Sequence, residues 1–223
     1  MTFEEVMVEL KESGTDQNIK IYKRHGAGDN LFGVSFANLN KLKKKIKFDS
    51  ELAKQLWKTQ NVDAQTLATM ILKPAEVNEE LIEEWMAEIK YHLLVDLLMK
   101  NVVSKMEIAI PFLEQWTASD DEWYGRAGWT LLAHLAMNDK ELEDHYFENY
   151  ISTVENTIHN NINRKREAMN SALIAIGGRS EALKKRCQDV AKKIGVVEVD
   201  HGETSCKTSD AYSYIEKIWA RKK

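Results

Sequence analysis

In the stretch IKYHLLVDLLMKNVV (89–103), His92, Asp96 and Lys100 interrupt an otherwise apolar run at intervals of four. On a helix these three positions fall along one line, drifting about 40° per step. Spacing alone leaves two readings open. The three residues can form i,i+4 pairs on a strip facing water, contributing a few tenths of a kcal/mol each. Alternatively, the strip faces a groove in which the Asp96 carboxylate meets a ligand. Two basic stretches invite a second question. KLKKKIK (41–47) carries Lys43, Lys44 and Lys47, and NRKRE (163–167) carries Arg164, Lys165 and Arg166. The first reads as the solvated side of an amphipathic helix. The second opens a helix, where unpaired N–H groups and the helix dipole favour a phosphate.

The elements that must position these residues read as helix after helix joined by short polar loops. TFEEVMVELKE repeats apolar residues at Phe3, Val6, Met7 and Leu10. IKIYKRH follows, then the loop GAGDN. In the next segment Ser35 caps a helix with Leu39, Leu42 and Ile46 on its inner face. Further helices are predicted at 49–58, 62–72, 78–87, 90–103, 106–116, 121–136, 141–158, 162–176, 180–193 and 209–221, with Gly195 as a C-terminal stop. VVEV (196–199) is the one short β-like run, and strands do not alternate with helices, a pattern unlike that of an α/β sheet enzyme. GAGDNLFG lacks both the preceding strand and the Gly-Lys-Ser/Thr ending of a phosphate loop and reads as a turn. Three segments, VDAQTLATMIL, YGRAGWTLLAHL and KREAMNSALIAI, each place an alanine early (Ala64, Ala127, Ala168) before a Leu-rich face. Helical repeats of about 40–47 residues are the mark of HEAT-like solenoids. The predicted fold is therefore all-α: a curved α-α superhelix (solenoid) of degenerate HEAT-like repeats over 1–195. A polar loop and C-terminal helix, 196–223, pack on the same domain.

Charge is laid out unevenly. Residues 1–47 hold nine Lys/Arg against six Asp/Glu, residues 48–159 eight against twenty-one, and residues 160–223 fourteen against eight. Two basic ends can grip a phosphate backbone if the fold brings them to one surface, whereas the acidic middle cannot. With two cysteines in 223 residues there is no disulfide framework. The N-terminal segment is acidic and amphipathic, unlike a secretory signal. We expect a cytoplasmic monomer with no membrane contact, associated with the nucleoid when bound to DNA. VDHGETSCKT (199–208) gathers Asp200, His201, Glu203 and Cys206 but matches no zinc spacing, so no metal and no cofactor are expected. Trp57, Trp116 and Trp129 recur at core spacing. Cys187 has no histidine nearby in sequence to activate it.

Several stretches taken together resemble one family. DNLFGVSFANLNKLKKKIK, ELAKQLWKTQNVDAQTLATMIL, YHLLVD, FLEQWTASDDEWYGRAGWTLL and KREAMNSALIAIG span most of residues 20–178. In order and spacing they are similar to the HEAT-like DNA alkylation repair proteins, whose founding members are alkylpurine DNA glycosylases. The resemblance implies that Asp96 is the catalytic aspartate, that Arg126 lines the DNA-facing groove, and that Tyr22 is a further groove residue; it also makes Lys43, Lys44 and Lys47 candidates for DNA-backbone contact beside Arg164, Lys165 and Arg166. One carboxylate suits that chemistry. A purine alkylated at N3 or N7 is already cationic and leaves without protonation, so no second carboxyl is needed as acid. A fixed Asp96 can stabilise the positive charge growing on the deoxyribose and orient a water.

The chain also departs from the family. The active glycosylases carry a tryptophan one turn before the aspartate, where this chain has His92, and another where it has Ser171. Aromatic residues upstream of that last helix are replaced by Asn163 and Arg164. An oxocarbenium-like sugar sits well against a ring face, and a serine offers none. Three functions remain open on sequence. The first is binding of duplex DNA with hydrolysis of alkylpurine N-glycosidic bonds. The second is non-catalytic binding of damaged or branched DNA, and the third is a peptide-binding helical scaffold.

Overall fold

The computed structural model describes residues 1–222. Among them are thirteen α-helices and no named strand. The helices are α1 (Phe3–Glu12), α2 (Asp16–Arg24), α3 (Phe36–Ile46), α4 (Ser50–Lys58), α5 (Val62–Ile71), α6 (Glu79–Glu88) and α7 (His92–Asn101). They continue with α8 (Ala109–Thr117), α9 (Glu122–Asn138), α10 (Asp144–Thr157), α11 (Asn163–Gly177), α12 (Glu181–Ile194) and α13 (Ala211–Lys222). The all-α prediction holds, and each helix predicted from periodicity has its counterpart. Local signals set the boundaries. Ser35 accepts from the Asn38 N–H, as its capping role requires, and Leu39 and Leu42 are buried behind it. Gly195 ends α12 at φ +67°, a conformation that favours glycine. VVEV forms no strand.

The chain divides into two compact units. The first comprises residues 1–108 with 201–205, and the second residues 109–200 with the chain from 206 onward. In the first unit α5 is the central element, packed against α3, α4 and α7. All ten of its residues are buried, which is why VDAQTLATMI shows no clear polar face. Trp57 of α4 stacks on Trp85 of α6 at 3.9 Å and donates its indole N–H to Glu88 at 2.8 Å. Its expected core role is met.

In the second unit α9 and α11 form the main pair, flanked by α8, α12 and α13. Small residues set the helix spacing. Ala64, Ala127 and Ala168, the early alanines of the three similar segments, are all buried. At Gly128 an added Cβ would lie 2.3 Å from the Thr117 backbone nitrogen. Any side chain there would force α9 away from α8. Trp116 and Trp129 are buried, as their spacing predicts.

Candidate nucleic-acid interface

The residues singled out by sequence fall into two groups, one in each unit. In the first unit α7 begins at His92 and exposes the strip His92, Asp96, Lys100. Leu94, Val95, Leu98 and Met99 are buried on its other side. His92 and Asp96 are half-buried, and Lys100 is exposed. The apolar face of α7 packs on α5, and Asn101 of α7 donates to the Thr69 hydroxyl of α5 at 3.2 Å. The His92 ring lies edge-on to Tyr91 at 5.0 Å and 6.4 Å from His25, at the C-terminal end of α2.

Tyr22, also on α2, donates its phenol to the Val34 carbonyl at 2.8 Å. Burial first, and then the Asp63 charge, raise its pKa above the ordinary tyrosine value. That arrangement depends on a residue the sequence reading passed over. Asp63, in the first turn of α5, accepts from the backbone N–H groups of Phe32 (2.6 Å), Gly33 (2.9 Å) and Val34 (2.9 Å). Burial pushes its carboxyl up despite these bonds. Asp63 thereby fixes the loop against which Tyr22 rests. Sequence shows only an acidic residue at a helix start, which fits an ordinary dipole role.

The lysines of α3 stand differently from one another. Lys45 pairs with Glu9 at 2.6 Å. Lys43 is half-buried, Lys44 and Lys47 are exposed, and none of these three pairs with a carboxylate among the described residues. Lys47 ends the helix at φ +68° and ψ −106°, a strained backbone for a residue with a side chain. Lys100 is likewise unpaired. Lys105 donates to the Asn101 carbonyl at 2.9 Å. Its ammonium is held below the usual lysine value by partial desolvation and then by the charges of Lys43 and Lys100. Lys105, just beyond the end of α7, thus feels the charge of Lys43 on α3 as well as that of Lys100 on α7. Their sequence numbers gave no hint of this.

In the second unit the basic residues at the start of α11 are spoken for. Arg126 of α9 is buried and donates to Glu167 of α11 at 2.8 Å and to the Arg164 carbonyl at 3.2 Å. Arg164 pairs with the same carboxylate at 3.1 Å. Burial raises the Glu167 carboxyl, but the two guanidinium groups outweigh it, and the net pKa lies below the usual glutamate value. The Arg166 guanidinium donates to the Asn161 carbonyl at 2.7 and 3.2 Å and to the Glu198 carbonyl at 2.8 Å.

Lys165 departs most from expectation. It is buried, its stem lies over Gly125, and its ammonium donates to the Ser119 carbonyl at 2.7 Å. It acts as an internal strut, not a surface cation, and burial lowers its pKa. The helix N-terminus itself is also occupied. The Arg164 N–H donates to the Glu122 carboxylate of α9 at 2.7 Å, so an acidic side chain sits where a phosphate was expected. Ser171 is exposed on α11 and bonds back to the Glu167 carbonyl at 3.1 Å. Cys187 is buried, with its thiol pushed up to about 12, which leaves it inert as a nucleophile. No group of three or more candidate metal ligands occurs among the described residues.

Comparison with known proteins settles the kinship. Residues 6–191 match the model of the DNA alkylation repair enzyme family. The chain belongs to this family. Two relatives of nearly equal length are 30% identical. One is the uncharacterized protein Lmo0209 of Listeria monocytogenes, matched over the whole of both chains, and the other is the uncharacterized protein Lin0241 of Listeria innocua, over 97% of each. A solved structure superposes with a TM-score of 0.91 and 31% identity, covering all of this chain and 95% of the other. It is described as representing a new family of proteins related to the HEAT-like repeat DNA glycosylases with affinity for branched DNA structures. The HEAT-like fold expected from the repeats is thus shown. No helix among the described residues is long and apolar enough to cross a membrane.

Proposed function

We propose that this family member binds DNA through the α3–α7 surface of its first unit, favours branched or distorted DNA over plain duplex, and does not excise bases. The observation that carries this reading is that Lys43, Lys44, Lys47, Lys100 and Lys105, from α3 to just past α7, pair with no carboxylate among the described residues. Cations left without a counter-charge attract a polyanion. Lys47 among them sits on a strained backbone at the end of α3. Such lysines contact phosphates, and phosphate contacts read backbone path rather than base sequence. A branch point presents phosphates of two arms to one surface, which suits a protein that recognises shape. The affinity of the 31% identical relative for branched DNA supports the same reading. His92 and Ser171, standing where the glycosylases carry tryptophans, argue against excision, because serine offers no ring to the sugar and histidine a poor one.

One observation favours a second reading, excision through Asp96. Its carboxylate is half-buried on a helix anchored to α5, the kind of fixed negative charge that stabilises an oxocarbenium-like sugar.

One experiment separates the two. Binding of a four-way junction and of a matched duplex is measured by fluorescence anisotropy over a salt series. Release of 7-methylguanine from methylated duplex is followed under single-turnover conditions for wild type and Asp96→Asn. We expect tighter binding to the junction by about tenfold, steep salt dependence, and no release above background. Enzyme-dependent release that disappears in a folded Asp96→Asn variant would sink the non-catalytic reading. Affinity for a peptide ligand that ignores salt, with none for either DNA, would return the chain to the scaffold class.

A further inference from the structure

Within the second unit, α9, α11 and α13 flank a cleft of about 730 Å³, away from the α3–α7 lysines in sequence. Its walls are Ala133 and Ala136 of α9, Ile174 and Ala175 of α11, and Tyr214 and Ile218 of α13. Met137 and Tyr214, both on this cleft, are 59% and 43% exposed and rank among the few large apolar side chains left in water. The Tyr214 ring stacks on no other ring among the described residues. Ser171 lies at the edge, and its small side chain leaves the mouth open where a large ring would project into it.

The charges around the mouth are unequally engaged. Asp144 accepts from Arg179 at 3.2 Å and from the Ser180 hydroxyl. Asp139 accepts from the Glu141 and Leu142 N–H groups at 2.8 and 2.9 Å. Arg179 is further tied to the Ala136, Asp139 and Leu142 carbonyls. Both carboxylates and the guanidinium are therefore satisfied internally. Two ammonium groups remain at the rim. Lys140 is exposed and unpaired among the described residues, and Lys222 donates only to the Gly178 carbonyl while lying 4.6 Å over the Trp219 ring.

We propose that this cleft takes one unpaired nucleotide of a branched DNA, its base against the Tyr214 ring and its phosphate on Lys140 and Lys222. An apolar slot with an unengaged aromatic wall and a cationic rim complements a flat heterocycle joined to a phosphate. An apolar peptide helix would fill the slot but leave two ammonium groups without a counter-charge. The inference rests on the DNA-binding reading and gives it a chemical target, the unpaired base beside a branch.

The test uses a flap DNA with 2-aminopurine as the first unpaired base at the branch, and a matched duplex without a flap. Wild type and Tyr214→Phe are expected to quench the 2-aminopurine on binding, and Tyr214→Ala is not. The preference for flap over duplex should fall about tenfold in Tyr214→Ala while duplex affinity is unchanged. Lys140→Glu provides a second variant at an exposed position, with the same loss of preference expected should Tyr214→Ala fail to fold. Tight flap binding without quenching, unaltered in both variants, overturns this inference and leaves the DNA reading intact. Absence of binding to flap and duplex alike overturns both.

Discussion

The starts of two stretches, KLKKKIK and NRKRE, look equivalent on paper, each a dense run of cations on a helix. In the α3–α7 region Lys45 pairs with Glu9, but Lys43, Lys44, Lys47 and Lys100 pair with no carboxylate among the described residues. Partial desolvation, and then the charges of Lys43 and Lys100, lower the Lys105 ammonium, and Lys47 sits on a strained backbone. In the α9–α11 region every cation is absorbed by the fold. Arg126 and Arg164 share Glu167, Lys165 is buried on Ser119, and Arg166 ties carbonyls of two loops together. The first region leaves charge unpaired among the described residues. The second uses charge to build the α9–α11 pair. A cation's meaning is thus set by what lies across from it, and for Arg126, Lys165 and Lys45 that partner comes from far along the chain.

The largest test of the contrast is Glu167→Ala. It removes the carboxylate that the buried Arg126 shares with Arg164, and breaking such a pair from one side is strongly destabilising. A loss of about 3 kcal/mol in urea unfolding is expected, and a loss under about 0.5 kcal/mol would show that the α9–α11 cations are not structural. The mirror experiment is the double substitution Lys43→Ala with Lys100→Ala. Stability should stay level or rise by a few tenths of a kcal/mol as repulsion is removed. Affinity for DNA should fall about tenfold or more, with a loss of about 0.9 in the salt slope for each phosphate contact removed. An unchanged slope would mean that these two lysines touch no backbone.

Acid sharpens the comparison further. The Glu167 carboxyl is held below its unfolded value, so its contribution is fully present above about pH 4.3 and drains away as pH falls through the folded value. Wild type should therefore lose stability more steeply than Glu167→Gln in that acid window, as read by thermal unfolding at stepped pH. Parallel curves would remove Glu167 as the responsible group. The smallest effect is expected at Lys47→Gly. Glycine relieves the positive-φ backbone and should raise stability by up to about 1 kcal/mol, while DNA affinity drops a few-fold. A gain in stability with no cost in binding would strip Lys47 of its role.

The helices were legible because their signals are local. The spacing of Leu39 and Leu42, the Ser35 cap and the Gly195 stop all act within one or two turns, and sequence carries them directly. The site was legible only in part. His92, Asp96 and Lys100 could be placed on one line because they share a helix. Lys105 joining Lys43, some sixty residues away, could not be seen. Lys165 misled for the same reason, since its partner at Ser119 and the bare Gly125 beneath its stem lie on other segments. Asp63 resembled any acidic residue in a first helical turn, and its three loop partners lie about thirty residues earlier.

The Asp63 clamp has a consequence in time as well as in space. The amide protons of Phe32, Gly33 and Val34 belong to a loop with no helix to protect them, yet each is held by a carboxylate anchored in the most buried helix of its unit. They can exchange with solvent only when that carboxylate lets go, so their lifetimes follow the opening of α5 and not the looseness of a loop. Three loop amides thereby become clocks for the heart of the first unit, and Tyr22, resting on the Val34 carbonyl, keeps its place only between their ticks.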